Sequence, residues 1–201
     1  MGEIRIKVFG KIGVFRIVFF KIFLGLALII FVLFLFYPHF AKNCLFPKKY
    51  HDSVSKYSNE YNVDENYVYS IIYSESRFDE KAKSEAGARG LMQITKDTFN
   101  WAKSRLEPNS QTTYEDIFDP AVNIKYGTYI LSTLFKEFED GRIVAAAYHA
   151  GRGKVSKWLS QGDGSLDEFF SENKNKVPAT YEYVNKVIET QQIYKKLYSQ
   201  V

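Results

Sequence analysis

Asp64-Glu-Asn-Tyr-Val68-Tyr-Ser-Ile71-Ile72-Tyr-Ser-Glu75-Ser-Arg-Phe78 is the stretch that decides the fold class. Val68, Ile71 and Ile72 recur at the spacing of one helical face, and the next place on that face belongs to Glu75. Asp64 is a good N-cap and Glu65 suits a first turn, so the spacing predicts a helix that starts there and runs to Phe78. A carboxyl on the buried side of a helix loses hydration, so its pKa rises and it keeps its proton near neutral pH. A general acid needs that state. The position equally suits a core Glu paired with an arginine or a backbone amide.

Outward from this stretch the pattern stays helical. Val54, Tyr57 and Tyr61 mark a helix before it, and Phe99, Ala102 and Leu106 mark one after it. Asp119-Pro120 reads as an N-cap with a first-turn proline, opening a helix that buries Tyr129, Ile130, Leu134 and Phe138 and ends at Gly141. Ile143 to Tyr148 predicts a short buried helix closed by Gly151 and Gly153. Pro178 precedes a last helix carrying Val184, Val187, Ile188, Gln191, Tyr194 and Leu197. No stretch reads as a convincing strand, and there is no internal repeat. The expected fold class is mostly α.

The first fifty residues differ in kind. Ile22 to Ala41 is an uncharged run of 20 residues, which as a helix spans roughly 30 Å, the thickness of a bilayer's hydrocarbon core. Arg5, Lys7, Lys11, Arg16 and Lys21 precede it against the single acid Glu3. The positive-inside rule then keeps the N-terminus in the cytoplasm and puts everything after Ala41 on the outer side. Arg16 and Lys21 can snorkel to the headgroups if Val14 to Phe20 extends the helix. A cleaved signal peptide is the alternative, but Pro38-His39-Phe40-Ala41-Lys42 is a poor cleavage pattern. Lys42 and Asn43 likewise disfavour lipoprotein processing at Cys44. The expected organisation is a basic cytoplasmic segment over 1–21, a transmembrane anchor over 22–41, a linker over 42–50 and one domain over 51–201.

Charge supports that division. Residues 1–50 hold eight of the 27 Lys and Arg and one of the 23 Asp and Glu, leaving 19 basic and 22 acidic residues beyond. The net +4 of the whole chain therefore belongs to the front end, facing phospholipid. The outer domain is not a basic nucleic-acid surface, and no nucleic-acid partner is expected. One cysteine allows no internal disulfide. His39, His51 and His149 lack metal-ligand spacing, so no metal and no cofactor is predicted.

Glu75-Ser76 is followed by Ser84, by Gly87-Ala-Arg-Gly90-Leu91-Met92-Gln93, by Asp119-Pro-Ala-Val-Asn123-Ile124 with Gly127, and by Ala147-Tyr148-His149-Ala-Gly151. In order and spacing these segments resemble the catalytic domain of the soluble-type (SLT, family 1) lytic transglycosylases, over about Tyr57 to Leu197. The resemblance implies a lysozyme-like (goose-type/SLT) domain with a groove, and cleavage of the MurNAc-β-1,4-GlcNAc bond of peptidoglycan. It implies that Glu75 first protonates the glycosidic oxygen and then, ionised, takes the proton from muramic acid O6. That oxygen closes onto C1 and leaves a 1,6-anhydro end. Tyr148 matches the family tyrosine whose hydroxyl reaches the catalytic Glu. Ser76, Ser84, Gly90, Met92, Gln93 and His149 fall at substrate-binding places. A hydroxyl at Ser84 suits an N-acetyl amide, and Met92 and Gln93 suit a groove wall. Each also has an ordinary reading in a turn or a core.

Two departures stand out. His149 replaces the usual Asn, adding bulk and a proton that titrates near neutrality. Ala179-Thr180-Tyr181 stand where relatives often carry Glu-Thr-Arg before Tyr183-Val184, so that role is lost or moves to Glu182. Two other functions stay open. A muramidase would need a second carboxylate as base, for which Asp79 is the candidate one turn beyond Glu75. A non-catalytic, membrane-tethered glycan-binding module docking an envelope assembly apparatus would not need Glu75 at all.

Overall fold

The structure, a computed structural model, describes residues 2–161 and 164–199, with side chains from Phe19 onward except Pro38. It divides into two compact units, Met1–Pro47 and Lys48–Val201. The first is one helix, α1 (Gly2–Phe40), followed by a π-helical turn over Ala41–Leu45. Phe19–Tyr37 within α1 has a mean hydropathy of 2.8 and is unburied, which makes it long and apolar enough to cross a membrane. The side chains of Arg5, Lys7, Lys11 and Arg16 lie outside the described residues.

The second unit is built from eight α-helices among the described residues: α2 (His51–Tyr61), α3 (Glu65–Glu75), α4 (Lys96–Leu106), α5 (Pro120–Phe138), α6 (Gly141–Ala150), α7 (Arg152–Leu159), α8 (Leu166–Asn173) and α9 (Pro178–Tyr198). A 3-10 turn, Tyr114–Phe118, leads into α5. Helix α9 packs along α3 and α6, while α5 packs against α2 and α6. The apolar face of α3 enters this core as its spacing requires: Val68, Ile71 and Ile72 are fully buried. Aromatic pairs fill the seams, Tyr69 stacking on Tyr194 at 5.3 Å and Phe99 meeting Tyr126 at 4.8 Å.

Caps explain where the helices start. Asp64 accepts the Tyr67 amide at 3.0 Å, and Asp119 accepts the Ala121 and Val122 amides at 2.8 and 3.0 Å. Three boundaries differ from the sequence reading. Helix α3 stops at Glu75 instead of Phe78, because Arg77 (φ 51°) and Phe78 (φ 67°) turn the chain through the left-handed region. Helix α5 stops at Phe138, and Gly141 opens α6 behind the Asp140 cap instead of ending α5. Gly151 does end α6, but Gly153 sits inside α7. Helices α7 and α8, eight residues each, had too little periodicity to be foreseen; they are tied together by Trp158 stacked on Phe169 at 4.7 Å.

Candidate active site

Glu75 is the last residue of α3, where helix carbonyls point outward and the field disfavours a negative charge. Its carboxyl is largely enclosed. Burial is the dominant influence and pushes its pKa up from 4.5 to about 7, against a lowering by the Tyr183 hydrogen bond and by the nearby Lys186 charge. The Tyr183 hydroxyl, from α9, donates to Glu75 Oε1 at 2.6 Å. Lys186 Nζ donates to the Ser74 carbonyl at 2.9 Å. Among the described residues no other carboxylate acts on this one.

The loop between α3 and α4 forms the next wall, and its shape depends on Asn123 of α5. Fully buried, Asn123 accepts the Met92 amide at 2.8 Å and donates to the carbonyls of Ile117 and Arg89 at 2.8 and 3.1 Å. Gly90 must be glycine: its φ is +74°, and a Cβ there would lie 2.2 Å from Asn123 Nδ2. Ser76 buckles the loop to α3, its hydroxyl donating to the Leu91 carbonyl at 2.8 Å. The Gln93 amide donates to the carbonyls of Gly90 and Ala82 at 2.9 and 3.2 Å.

Several expected contacts fall elsewhere. The Tyr148 hydroxyl donates to the Met92 carbonyl at 2.7 Å, not to Glu75, so the phenol gripping the carboxyl belongs to Tyr183. Burial pushes both phenols well above their ordinary pKa, which keeps them donors. The Met92 side chain is fully buried, with its sulfur filling the space over Gly127, so it packs the core and cannot touch a sugar. Ser84 lies on an exposed turn, where its hydroxyl accepts the Ala88 amide at 3.0 Å. His149, on the last turn of α6, stacks on the Tyr183 ring at 4.5 Å and places Nδ1 3.2 Å from Thr180 Oγ1. Its partial burial lowers its pKa, favouring neutral imidazole. Glu182 is exposed on α9 and exerts no influence on Glu75.

Sequence reasoning gave no role to Tyr183, Lys186 or Asn123. The available signals were the tyrosine on the apolar stripe of α9 with a lysine one turn on, and the Asn within Asp119-Pro-Ala-Val-Asn123. A cavity of about 420 Å³ is walled by Gln93, Trp101, Ile130, Leu134, Tyr148 and Arg152. Glu75 is not on its wall; Tyr148, which is, lies close enough to Glu75 to feel its charge. An enclosed carboxyl with a raised pKa and a mostly apolar hollow that share Tyr148 suit acid catalysis on a bound ligand.

The family model described as transglycosylase SLT domain matches residues 52–169. The chain belongs to that family. It is 33% identical over 123 residues to the soluble lytic murein transglycosylase of Escherichia coli, a match covering 61% of this chain and 19% of that protein. It is 37% identical over 98 residues to membrane-bound lytic murein transglycosylase E of Buchnera aphidicola, covering 48% of this chain and 43% of that protein. The crystal structure of the 70-kDa soluble lytic transglycosylase of Escherichia coli superposes with a TM-score of 0.66 at 31% identity, over 75% of this chain and 25% of that one. The SLT domain of this chain thus has the expected mostly α, lysozyme-like fold. The chain spans only about a fifth to a quarter of the soluble relatives it matches.

Proposed function

We propose that the Lys48–Val201 unit is a peptidoglycan lytic transglycosylase that cleaves the MurNAc-β-1,4-GlcNAc bond without water. The observation that carries this reading is Glu75, whose carboxyl has a pKa of about 7 and on which, among the described residues, no second acid acts. A hydrolytic glycosidase of this class uses two carboxylates, one of them to activate water or attack the sugar. Asp79 does not serve, because the chain turns away at Arg77 and Phe78 and the exposed Asp79 accepts the Lys81 amide at 2.9 Å.

One carboxyl suffices for an internal displacement. Protonated Glu75 gives its proton to the glycosidic oxygen as the bond to C1 breaks. The sugar's own N-acetyl oxygen stabilises the cation at C1. Ionised Glu75 then removes the O6 proton, and O6 bonds to C1. A pKa near the working pH lets the group act in both directions. Tyr183 orients the carboxyl, Tyr148 and Ser76 hold the loop that walls the site, and the cavity by Trp101 continues the glycan groove.

Helix α1 is proposed to anchor this unit as a single span over residues 22–41, with 1–21 cytoplasmic, 42–50 as linker and the 51–201 domain facing the wall. Its exposed apolar stretch and the basic residues before it support that orientation. The role is wall remodelling or turnover, with membrane lipid and an envelope assembly apparatus as further partners. Purified peptidoglycan incubated with the full-length protein in detergent should release soluble muropeptides, and the Glu75→Gln protein should release none. Equal release by both would remove Glu75 and the proposal with it.

A further inference from the structure

Lys186 lies one turn beyond Tyr183 on α9, half-buried among the groups around Glu75. Its Nζ donates at 2.9 Å to the carbonyl of Ser74, in the last turn of α3, and stands 5.9 Å from the centre of the Tyr73 ring. The backbone amides of Ser76 and Arg77 reach back to Ile72 and Tyr73, and the chain then turns away, so the lysine takes an end-of-helix carbonyl left over by the turn. A cation placed there opposes the negative end of the helix where the acid sits.

We infer that Lys186 is a positioning residue that acts through Glu75, setting the proton affinity of that carboxyl so that it can both give a proton and take one back. The inference rests on the transglycosylase reading, in which one group must do both. Burial and the helix terminus alone would hold Glu75 protonated too firmly, making it a weak acid in the first step. Two features pull the other way: the neutral donor Tyr183, and the charge of Lys186.

Tyr73 and Glu75 face the lysine from α3, and Arg77 from the turn beyond it. Tyr183, one turn earlier on α9, is flanked by Tyr148 and His149 of α6. Burial and Arg77 lower the Lys186 pKa, while Glu75 raises it, so the two ionised forms support each other. Arg77 is exposed, with its guanidinium 5.9 Å from the centre of the Tyr73 ring. Among the described residues Lys186 is the cation whose charge acts on Glu75.

The test compares the full-length protein in detergent with Lys186→Met, Lys186→Gln and Lys186→Arg. Two quantities are read: the alkaline limb of the pH–rate profile on peptidoglycan, and the titration of the Glu75 carboxyl carbon by NMR, which needs no turnover. Met and Gln should move both upward by about one pH unit, and Arg should leave them within a few tenths. Gln keeps a donor for Ser74 without the charge, so a shift in Gln assigns the effect to charge. An unmoved limb and titration in Met and Gln, with only thermal stability lowered, would reduce Lys186 to a helix cap and overturn the inference. If the parent protein releases nothing from peptidoglycan, the proposed function fails by itself, and the Glu75 titration still decides whether Lys186 tunes it.

Discussion

Tyr183 and Glu75, 108 residues apart, share a 2.6 Å hydrogen bond that joins the last helix to the end of the helix carrying the acid. The bond favours ionised Glu75 and orients the carboxyl through Oε1. Tyr183→Phe should therefore raise the Glu75 pKa above about 7 and move the alkaline limb of activity up by about one unit. Turnover should fall roughly tenfold or more as orientation is lost. Tyr148→Phe should lower activity with no displacement of that limb, since its hydroxyl serves the Met92 carbonyl. Paired pH–rate profiles of the two variants check the assignment, and a shift in Tyr148→Phe alone would reverse it.

The enclosed acid costs stability, and the sign follows from its pKa. Folded Glu75 titrates near 7 against an ordinary 4.5, so the folded chain binds more protons than the unfolded one between those values. The parent should lose stability as pH rises through that window. Glu75→Gln should then be inactive yet more stable, by up to about 3 kcal/mol above pH 7, with the gain vanishing below pH 4.5. Chemical denaturation at pH 4 and pH 8 measures it, and a gain equal at both would place its origin outside the titration.

Asn123 carries the loop, so Asn123→Ala strands the Met92 amide and the Arg89 and Ile117 carbonyls in the core. A loss of about 2–4 kcal/mol is expected. Gly90→Ala should cost a comparable amount by forcing a Cβ against the Asn123 side chain at positive φ. The double variant should lose less than the sum, because removing the Asn123 side chain takes away the shortest contact and leaves the Ile117 carbonyl at 2.8 Å. Thermal unfolding of the three proteins tests this, and strict additivity would separate the two positions.

The helical face of α3 was readable because three aliphatic residues and a cap all point the same way, and the position of Glu75 on it followed directly. The end of that helix was not readable, since nothing in Ser76-Arg77-Phe78 marks two non-glycine residues at positive φ. The motif residues were easy to find but their tasks were not. Ser76, Gly90, Met92 and Gln93 spend their groups on the loop's own backbone, the loop carbonyls or the core, which only three-dimensional contacts reveal. Tyr183 was hidden among 15 tyrosines. Its partner lies in another helix, and local spacing carries no information about that pairing.

The sharpest prediction concerns the atoms of the product. If muramic acid O6 is the nucleophile, no water enters: fragments are one water lighter than hydrolysis products, and borohydride leaves their ends unreduced. Digestion in heavy-oxygen water should introduce no label at the new muramic acid terminus. The ground is the Glu75 carboxyl, on which no second acid acts among the described residues, with Asp79 exposed beyond the turn that ends the helix. Asp79→Asn should accordingly leave rate and products unchanged. Label at C1 would mean that an activated water attacks instead, and its loss in Asp79→Asn would identify that side chain as the base and turn the enzyme into a muramidase.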